Sequence, residues 1–265
     1  MFMRCPEQYR QRYILGLKER PGGAQILGTG FHFAQETNFR QKIDTHEDLA
    51  VEAVVEAFHA GWEQELERYG GVNEVVWDER EKPDTIRKKG ADLSALYRTQ
   101  VAPTLQPEAV EHRFRTMIDG VPVPFVGGID LVGTREHGTP WDDNYHSLDL
   151  VVDYKTAKAV KRELKPEWLL QARLYQLETG RRVEYHVAAK TKDPQVVTPV
   201  DAPQLAIDPS EQALQTTTKL LQRVVRQMTL LYLEYGPDTA WPGAITHPWA
   251  CHFCGFRPSC VWWRT

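Results

Sequence analysis

The stretch SLDLVVDYK, residues 147–155, decides the fold. Its apolar and β-branched residues predict a buried β-strand, and it ends in the tripeptide Asp153-Tyr154-Lys155. Successive side chains of a strand point to opposite faces, so Asp153 and Lys155 share one face while Tyr154 points into the core. A carboxylate and a lysine at a strand end are a candidate catalytic pair.

A second carboxylate lies in the strand that we predict over residues 122–133. Asp130 follows Gly127-Gly128-Ile129, where small residues leave room beside the backbone. If the two strands pair, Asp130 and Asp153 converge on one divalent ion, and Lys155 orients or polarises a water beside it. Phosphodiester hydrolysis requires oxygen ligands, an activated water and positive charge. The alternative is an exposed Asp-Lys pair, worth less than about 1 kcal/mol.

Two more residues are candidates for the same site. His32 follows Gly28-Thr29-Gly30, which we interpret as a loop before a helix, and it is a possible third metal ligand. A single histidine in that position is more often structural. Glu111 opens the strand predicted over residues 110–118 and is either a further acidic group or an edge residue.

Gln171 and Tyr175 are four residues apart on the helix predicted over residues 164–179. That spacing places both side chains on one face of the helix. They are candidates to support the site, although ordinary surface polarity explains them equally well.

The whole pattern predicts a mixed α/β domain with a small central sheet. The predicted elements are helices at 5–17, 30–41, 47–69 and 91–102, strands at 110–118, 122–133 and 147–155, a helix at 164–179, a strand at 183–190 and a helix at 209–235. Asp119-Gly120 predicts a hairpin turn between the first two strands. We expect a single domain over residues 1–265, with an acidic helical insertion at 44–104 and a cysteine-rich tail at 241–265.

The 265 residues are 42% hydrophobic and 26% charged, which excludes collagen-like, coiled-coil and disordered classes. No run approaches the roughly 18 apolar residues of a membrane span. The charged N-terminus, broken by Pro6, is unlike a signal peptide. We therefore expect a cytoplasmic protein with no membrane partner.

The net charge of −4 conceals a strong asymmetry. Residues 44–84 hold 13 acidic and 3 basic residues, whereas residues 155–192 hold 10 basic and 4 acidic residues. Residues 1–42 are also basic, with 7 basic and 3 acidic residues. A local surface for nucleic acid is compatible with the negative total, although charge runs are usually just solvated faces.

The four cysteines are placed unevenly. Cys251, Cys254 and Cys260 form a chelate pattern near the C-terminus, and Cys5 is the only other cysteine. If Cys5 completes the set, the tail closes onto the N-terminal helix. Spacing alone leaves zinc, an iron–sulfur cluster and unrelated free thiols open.

In combination, the motifs resemble the RecB-like branch of the PD-(D/E)XK nuclease superfamily. They occur in family order: G-x-x-x-H at Gly28–His32, G-x-x-D at Gly127–Asp130, D-x-K at Asp153–Lys155 and Q-x-x-x-Y at Gln171–Tyr175. The resemblance implies a restriction-endonuclease-like core, with helices flanking a mixed sheet.

The resemblance also implies roles for individual residues. The implied metal ligands are His32, Asp130, Asp153 and the carbonyl group of Tyr154. Lys155 is the implied catalytic lysine, Gln171 and Tyr175 hold the DNA or the site geometry, and Glu111 is the least certain member.

Cys5-Pro6-x-x-Tyr9 with a distal C-x₂-C-x₅-C resembles the iron–sulfur staple of AddB-type nuclease domains and of CRISPR-associated RecB-like exonucleases. The resemblance implies a 4Fe-4S cluster held by all four cysteines, Cys5, Cys251, Cys254 and Cys260. Such a cluster joins the two ends of the chain.

We therefore expect a Mg²⁺- or Mn²⁺-dependent DNA nuclease, an exonuclease or end-trimming enzyme for single-stranded or frayed DNA. A recombination, repair or CRISPR-adaptation protein is an expected partner. The alternatives are a non-catalytic DNA-end-binding or assembly module and a zinc-stabilised regulatory protein. Asp130, Asp153 and Lys155 favour the enzyme, because a scaffold has no need of that trio.

Overall fold

The computed structural model describes residues 1–78, 81–137, 146–244, 251 and 254–263. The backbone packs as two compact units. The terminal unit contains Met1–Arg20, Ile118–Pro122 and Thr216–Thr265, and the sheet unit contains Pro21–Met117 and Val123–Gln215. No helix among the described residues is long and apolar enough to cross a membrane.

The regular elements follow the predicted order, except that two short strands, Gln195–Val197 and Ala206–Ile207, were not predicted. The helices are α1 (Pro6–Tyr9), α2 (Gly23–Thr45), α3 (Val51–Arg68), α4 (Pro83–Gln100), α5 (Pro166–Thr179) and α6 (Glu211–Tyr235). The strands are β1 (Leu105–Thr116), β2 (Phe125–His137), β3 (His146–Ala157), β4 (Arg182–Ala189), β5 (Gln195–Val197) and β6 (Ala206–Ile207). A π-helical turn, Arg10–Ile14, follows α1.

The strands among the described residues form one mixed sheet in the order β1-β2-β3-β4-β5, with β6 beside β4. The first three strands pair in antiparallel fashion, whereas β3 and β4 are parallel. Parallel neighbours need a crossover connection, and α5 lies in the segment that makes it. The sequence prediction of a small mixed sheet flanked by helices is confirmed.

Apolar side chains cover both faces of β3. On one face Val151 packs in a cluster with Trp168 and Tyr175 of α5. On the other face Tyr154 packs with Phe31 of α2 and Tyr97 of α4, together with Leu150 and Val152 of β3. Burial on both faces explains why residues 150–152 form a continuous apolar run.

Helix α2 corrects one prediction, because it begins at Gly23 rather than near residue 30. Gly28 and Gly30 lie inside the helix and do not form a loop before it. The small size of Gly30 serves packing, since a Cβ atom there would lie 3.0 Å from the Phe58 ring of α3. His32 is therefore held on a continuous helix.

Three other predicted boundaries differ from the structure. Helix α4 begins at Pro83 instead of residue 91. The N-terminal helix is only one turn long before the π-helical turn. The β1–β2 connection spans residues 117–124, longer than a two-residue turn, and Gly120 adopts a φ of +69° within it.

A buried carboxylate holds the two ends of the terminal unit together. Glu7 accepts hydrogen bonds from the Arg10 guanidinium at 2.9 and 2.8 Å and from the Gln11 amide at 2.8 Å. It also accepts one from the backbone N–H of Trp241 at 2.6 Å. Because Glu7 is 2% exposed, these bonds compensate the desolvation of its charge.

Gly90→Ala tests the packing of the three N-terminal helices. The Phe58 ring lies between Gly30 and Gly90, and a Cβ atom at Gly90 would come within 2.1 Å of its Cζ. Alanine normally stabilises a helix interior by about 1 kcal/mol relative to glycine. Here we expect the free energy of unfolding to fall by about 1–3 kcal/mol, because the buried ring has no room to move.

Gly28→Ala is the matched control, since its Cβ would meet Thr156 at an ordinary contact distance of 3.4 Å. Chemical denaturation should show that Gly28→Ala is neutral or stabilising. Equal stabilisation by both substitutions would contradict the packing described here.

Candidate active site

The site forms where β2 and β3 separate. Their pairing ends with Leu131 opposite Val152, so Asp130 and Asp153 are the next residues along the two strands. Beyond that point, the backbone N–H of Tyr154 donates to Oδ2 of Asp130 at 2.7 Å. A side chain of β2 thus replaces a backbone carbonyl, and its carboxylate is fixed at the opening of the sheet.

His32, Glu111 and Asp130 form the first cluster of the site. Their ligand atoms all lie within 4.8 Å of one another, the one such group of three found among the described residues. Nδ1 of His32 lies 3.4 Å from Oδ1 of Asp130, and its Nε2 lies 3.2 Å from the carbonyl oxygen of Tyr154. Imidazole and carboxylate groups at these distances can hold a divalent cation.

Glu111 occupies a different position from the one predicted. It lies within β1 and not at its start, because the strand begins at Leu105. Its neighbours Val110 and His112 pair with β2, but Glu111 itself adopts a φ of +50°. This left-handed conformation is uncommon for a residue other than glycine, and such strain occurs preferentially at functional sites. It accompanies the approach of the Glu111 carboxylate to Asp130 and His32.

Asp153 belongs to a second cluster, with Lys155 and two residues of α5. Lys155 forms an ion pair with Oδ2 of Asp153 and donates to Oε1 of Gln171 at 3.0 Å. The Gln171 amide and the Tyr175 hydroxyl donate to Oδ1 of Asp153 at 2.8 and 2.9 Å. Gln171 and Tyr175 therefore fix the carboxylate and the lysine relative to each other.

One oxygen of Asp153 is left for a further partner. Oδ2 is buried and makes no hydrogen bond with the described residues, and the Lys155 ammonium is its ion-pair partner. A buried carboxylate oxygen of this kind is suited to act as a ligand for a cation. Tyr154 follows Asp153 and contacts the first cluster, since its N–H donates to Asp130 and its carbonyl oxygen faces His32. The ligand atoms of the two clusters together fit a divalent ion.

The crowded carboxylates shift one another's pKa. Burial opposes protonation of His32, but the charge of Asp130 outweighs it and raises the pKa of His32 from 6.5 to about 9. Burial and the neighbouring Asp130 raise the pKa of Asp153 to about 6 despite Lys155. Burial and Asp130 also raise the pKa of Glu111. In the absence of a metal ion, the raised pKa values of His32, Asp153 and Glu111 favour their protonated forms. A bound cation would displace those protons.

The sequence matches the PD-(D/E)XK nuclease superfamily over residues 1–261. The chain belongs to this superfamily. Its members are divalent-metal nucleases, and the grouped acidic residues of the sheet unit fit that chemistry.

Two solved structures resemble the chain at low sequence identity. A candidate exonuclease from Eubacterium rectale aligns with a TM-score of 0.48 and 10% identity, covering 89% of this chain and 77% of that protein. The crystal structure of SSO0001 aligns with a TM-score of 0.37 and 10% identity, covering 96% and 93%. No curated protein matches the sequence. Membership therefore rests on the superfamily match.

The four cysteines line one pocket of the terminal unit, together with Phe256, Trp262 and Trp263. None of them forms a disulfide, and the backbone N–H of Gln8 donates to Sγ of Cys5 at 3.4 Å. Burial raises the pKa of Cys5, and the nearby Cys260 and Cys251 add to the effect. The pocket brings together four thiols from the two ends of the chain. Of the predicted 241–265 tail, residues 245–250, 252–253 and 264–265 lie outside the described residues.

Sequence reasoning missed Tyr185. It is the parallel partner of Asp153 across β3 and β4, and the Lys155 ammonium lies 5.5 Å from the centre of its ring. The attraction between an ammonium and an aromatic face helps to hold the lysine beside Asp153. The register between β3 and β4 would have placed Tyr185 beside Asp153. That register cannot be derived from the sequence, because no tight turn joins two parallel strands.

The metal-free protein should lose stability as the pH rises from 6.5 to about 9. The pKa of His32 is higher in the folded state than in the unfolded state. Protonated His32 therefore stabilises the fold fully below the unfolded-state pKa, and this contribution disappears as the pH rises past the folded-state pKa. Denaturant unfolding in EDTA across this range measures the effect, and His32→Gln should flatten the slope.

His59→Gln is the control. Burial and Arg87 lower the pKa of His59, so its titration contributes no loss of stability as the pH rises through the same range. The assignment fails if His32→Gln retains the full slope or if His59→Gln removes it.

Proposed function

We propose that the protein is a Mg²⁺- or Mn²⁺-dependent DNA nuclease that trims ends as an exonuclease on single-stranded or frayed DNA. The observation that carries the proposal is the pair of adjoining clusters at the opening of the sheet. One offers cation ligands, and the other holds a lysine against a buried carboxylate. The preference for DNA ends follows from the resemblance to RecB-like nucleases.

In this proposal the side chains have distinct tasks. His32, Asp130, Asp153 and the Tyr154 carbonyl would hold the divalent ion, which when bound supplies Lewis acidity to the scissile phosphate. Glu111 contributes a further carboxylate beside Asp130. Lys155 presents an ammonium that orients a water and offsets the charge that develops on the phosphate.

Gln171 and Tyr175 act on Asp153 and Lys155 through hydrogen bonds. Gln171 accepts from Lys155 and donates to Asp153, so it holds the two groups at a constant separation. The Tyr175 hydroxyl lies 3.0 Å from the carbonyl oxygen of Gly128, which ties α5 to β2. These bonds limit reorganisation during the reaction.

Positive charge near β3 supports a polyanionic substrate. The segment that follows β3 carries Lys161, Arg162 and Lys165, all exposed. Basic side chains of this kind bind the phosphate backbone regardless of base sequence. The same chain segment leads from Lys155 into α5.

For the terminal unit we propose a 4Fe-4S cluster bound by Cys5, Cys251, Cys254 and Cys260. All four free thiols line one pocket, and the resemblance favours iron–sulfur over zinc. The cluster's task is structural, since binding free energy becomes folding free energy when the ligands come from distant parts of the chain.

We further propose that the enzyme acts with a recombination, repair or CRISPR-adaptation protein. The same surface could serve a non-catalytic DNA-end-binding module. The Lys155 ammonium held against the buried Asp153 carboxylate favours catalysis, because burying that carboxylate is costly for a scaffold that does not use it.

Asp153→Ala should abolish cleavage and leave the fold intact. The assay uses single- and double-stranded DNA labelled at the 5′ or the 3′ end, with Mg²⁺, Mn²⁺ or EDTA. Lys155→Met should lower the rate by about 100-fold or more, because it removes the ammonium from the reacting centre.

Asp149→Ala is the matched control, since Asp149 is exposed on the same strand and pairs across from Thr134. It should cleave like the wild type. Full activity of Asp153→Ala in a preparation free of contaminating nuclease would refute the assignment, and DNA binding without cleavage by the wild type would favour the non-catalytic module.

Protein purified without oxygen should be brown and contain about four iron and four sulfide per chain. Cys5→Ala should lower both the iron content and the melting temperature, whereas Ser259→Ala, an exposed change in the same tail, should alter neither. Stoichiometric zinc without visible absorption would overturn the cluster assignment.

A further inference from the structure

A buried polar network lies beside Tyr154 and has no part in the chemistry described above. The Tyr97 hydroxyl lies 2.7 Å from Nδ1 of His186, and Nε2 of His186 lies 3.2 Å from Oε2 of Glu184. The Arg135 guanidinium is 2.6 Å from the same Glu184 oxygen. None of these four side chains is more than 6% exposed.

The network is expensive to maintain in a protein core. Taking an arginine and a glutamate out of water costs free energy that their attraction repays only with good geometry, and apolar replacements are often as stable. Stability alone therefore gives a weak reason for Arg135 and Glu184. A buried network of this kind is better suited to fixing the position of a particular group.

The hydrogen-bond directions depend on the tautomer of His186. Its Nε2 lies 3.2 Å from both Oε2 of Glu184 and the Arg135 guanidinium, so it donates to Glu184 in one tautomer and accepts from Arg135 in the other, while Nδ1 accepts from or donates to the Tyr97 hydroxyl. Burial lowers the pKa of His186. In either tautomer the ring links the Tyr97 hydroxyl to the Arg135–Glu184 pair.

His186 and Tyr97 both contact Tyr154. His186 is the register partner of Tyr154 across the parallel β3–β4 pair. The Tyr97 and Tyr154 rings meet edge to face with centroids 5.4 Å apart, and Phe31 packs on both rings at 5.7 and 6.0 Å. The Tyr154 hydroxyl is buried, and the ring contacts with Tyr97 and Phe31 hold its side chain.

The backbone of Tyr154 belongs to the metal site. Its N–H donates to Asp130, and its carbonyl oxygen faces His32. A shift of the Tyr154 ring that displaces its Cα atom would move both flanking peptide groups, because the ring and the peptides are joined through that atom.

We infer that Tyr97, held by His186, is a positioning residue for the divalent-metal site through its contact with Tyr154. The inference rests on the proposed nuclease function. It assigns a role to a network on the sheet face opposite Asp153 that no catalytic motif of the sequence includes.

The test measures the binding of Mn²⁺ alone to metal-free protein by titration calorimetry. Tyr97→Phe should weaken binding by about fivefold, the upper limit that the loss of one buried hydrogen bond allows. His186→Asn can still form a hydrogen bond with Tyr97 and should bind close to the wild-type level, whereas His186→Leu should bind as weakly as Tyr97→Phe. In cleavage assays Tyr97→Phe should need more Mn²⁺ for half-maximal rate but reach a near-normal rate at saturation.

Ser94→Ala is the matched control, because Ser94 is also buried on α4 and donates only to the Gly90 carbonyl within that helix. It should leave Mn²⁺ binding unchanged. The inference is refuted if Tyr97→Phe binds Mn²⁺ as tightly as the wild type, or if Ser94→Ala weakens binding equally. Asp130→Ala separates the two proposals: normal Mn²⁺ binding in that variant would remove the metal site itself.

Discussion

The hydrogen bond from the Tyr154 N–H to Asp130 is the constraint on which the site depends. It forms where β2 and β3 stop pairing, so a carboxylate takes over the role of a backbone acceptor. That substitution keeps the sheet satisfied while it opens, and it leaves a charged group at the opening. The side chains of His32, Glu111 and Asp153 lie around this opening of the sheet.

The helices on the two faces of the sheet position different side chains of the site. Helix α5 reaches the Asp153 face with Gln171 and Tyr175, whereas α2 supplies His32 from the other side. Both helices are anchored in apolar clusters that include residues of β3. The positions of the functional groups are consequently set by core packing, which ties the precision of the site to the stability of the fold.

The sequence was most informative where a pattern is local. Side-chain periodicity predicts strand β3, its antiparallel neighbour β2, and the i, i+4 pair Gln171 and Tyr175 on α5. The structure brings the polar side chains of these elements together. The predicted start of α2 was wrong because Gly28 and Gly30 lie inside the helix, where Gly30 packs against Phe58, and do not form a loop. Glu111 and Tyr185 could not be placed, since a local φ reversal and a parallel register are tertiary features.

The thiol pocket has a consequence for the order of folding during synthesis. Cys5 is translated before the sheet unit, and the three other cysteines that line its pocket, Cys251, Cys254 and Cys260, are translated after it. The sheet unit has its own apolar clusters, and its whole sequence is available before the pocket can form. Cys5 therefore remains without the other three thiols until the sheet unit has been synthesised, so the pocket closes only after the sheet unit is able to fold.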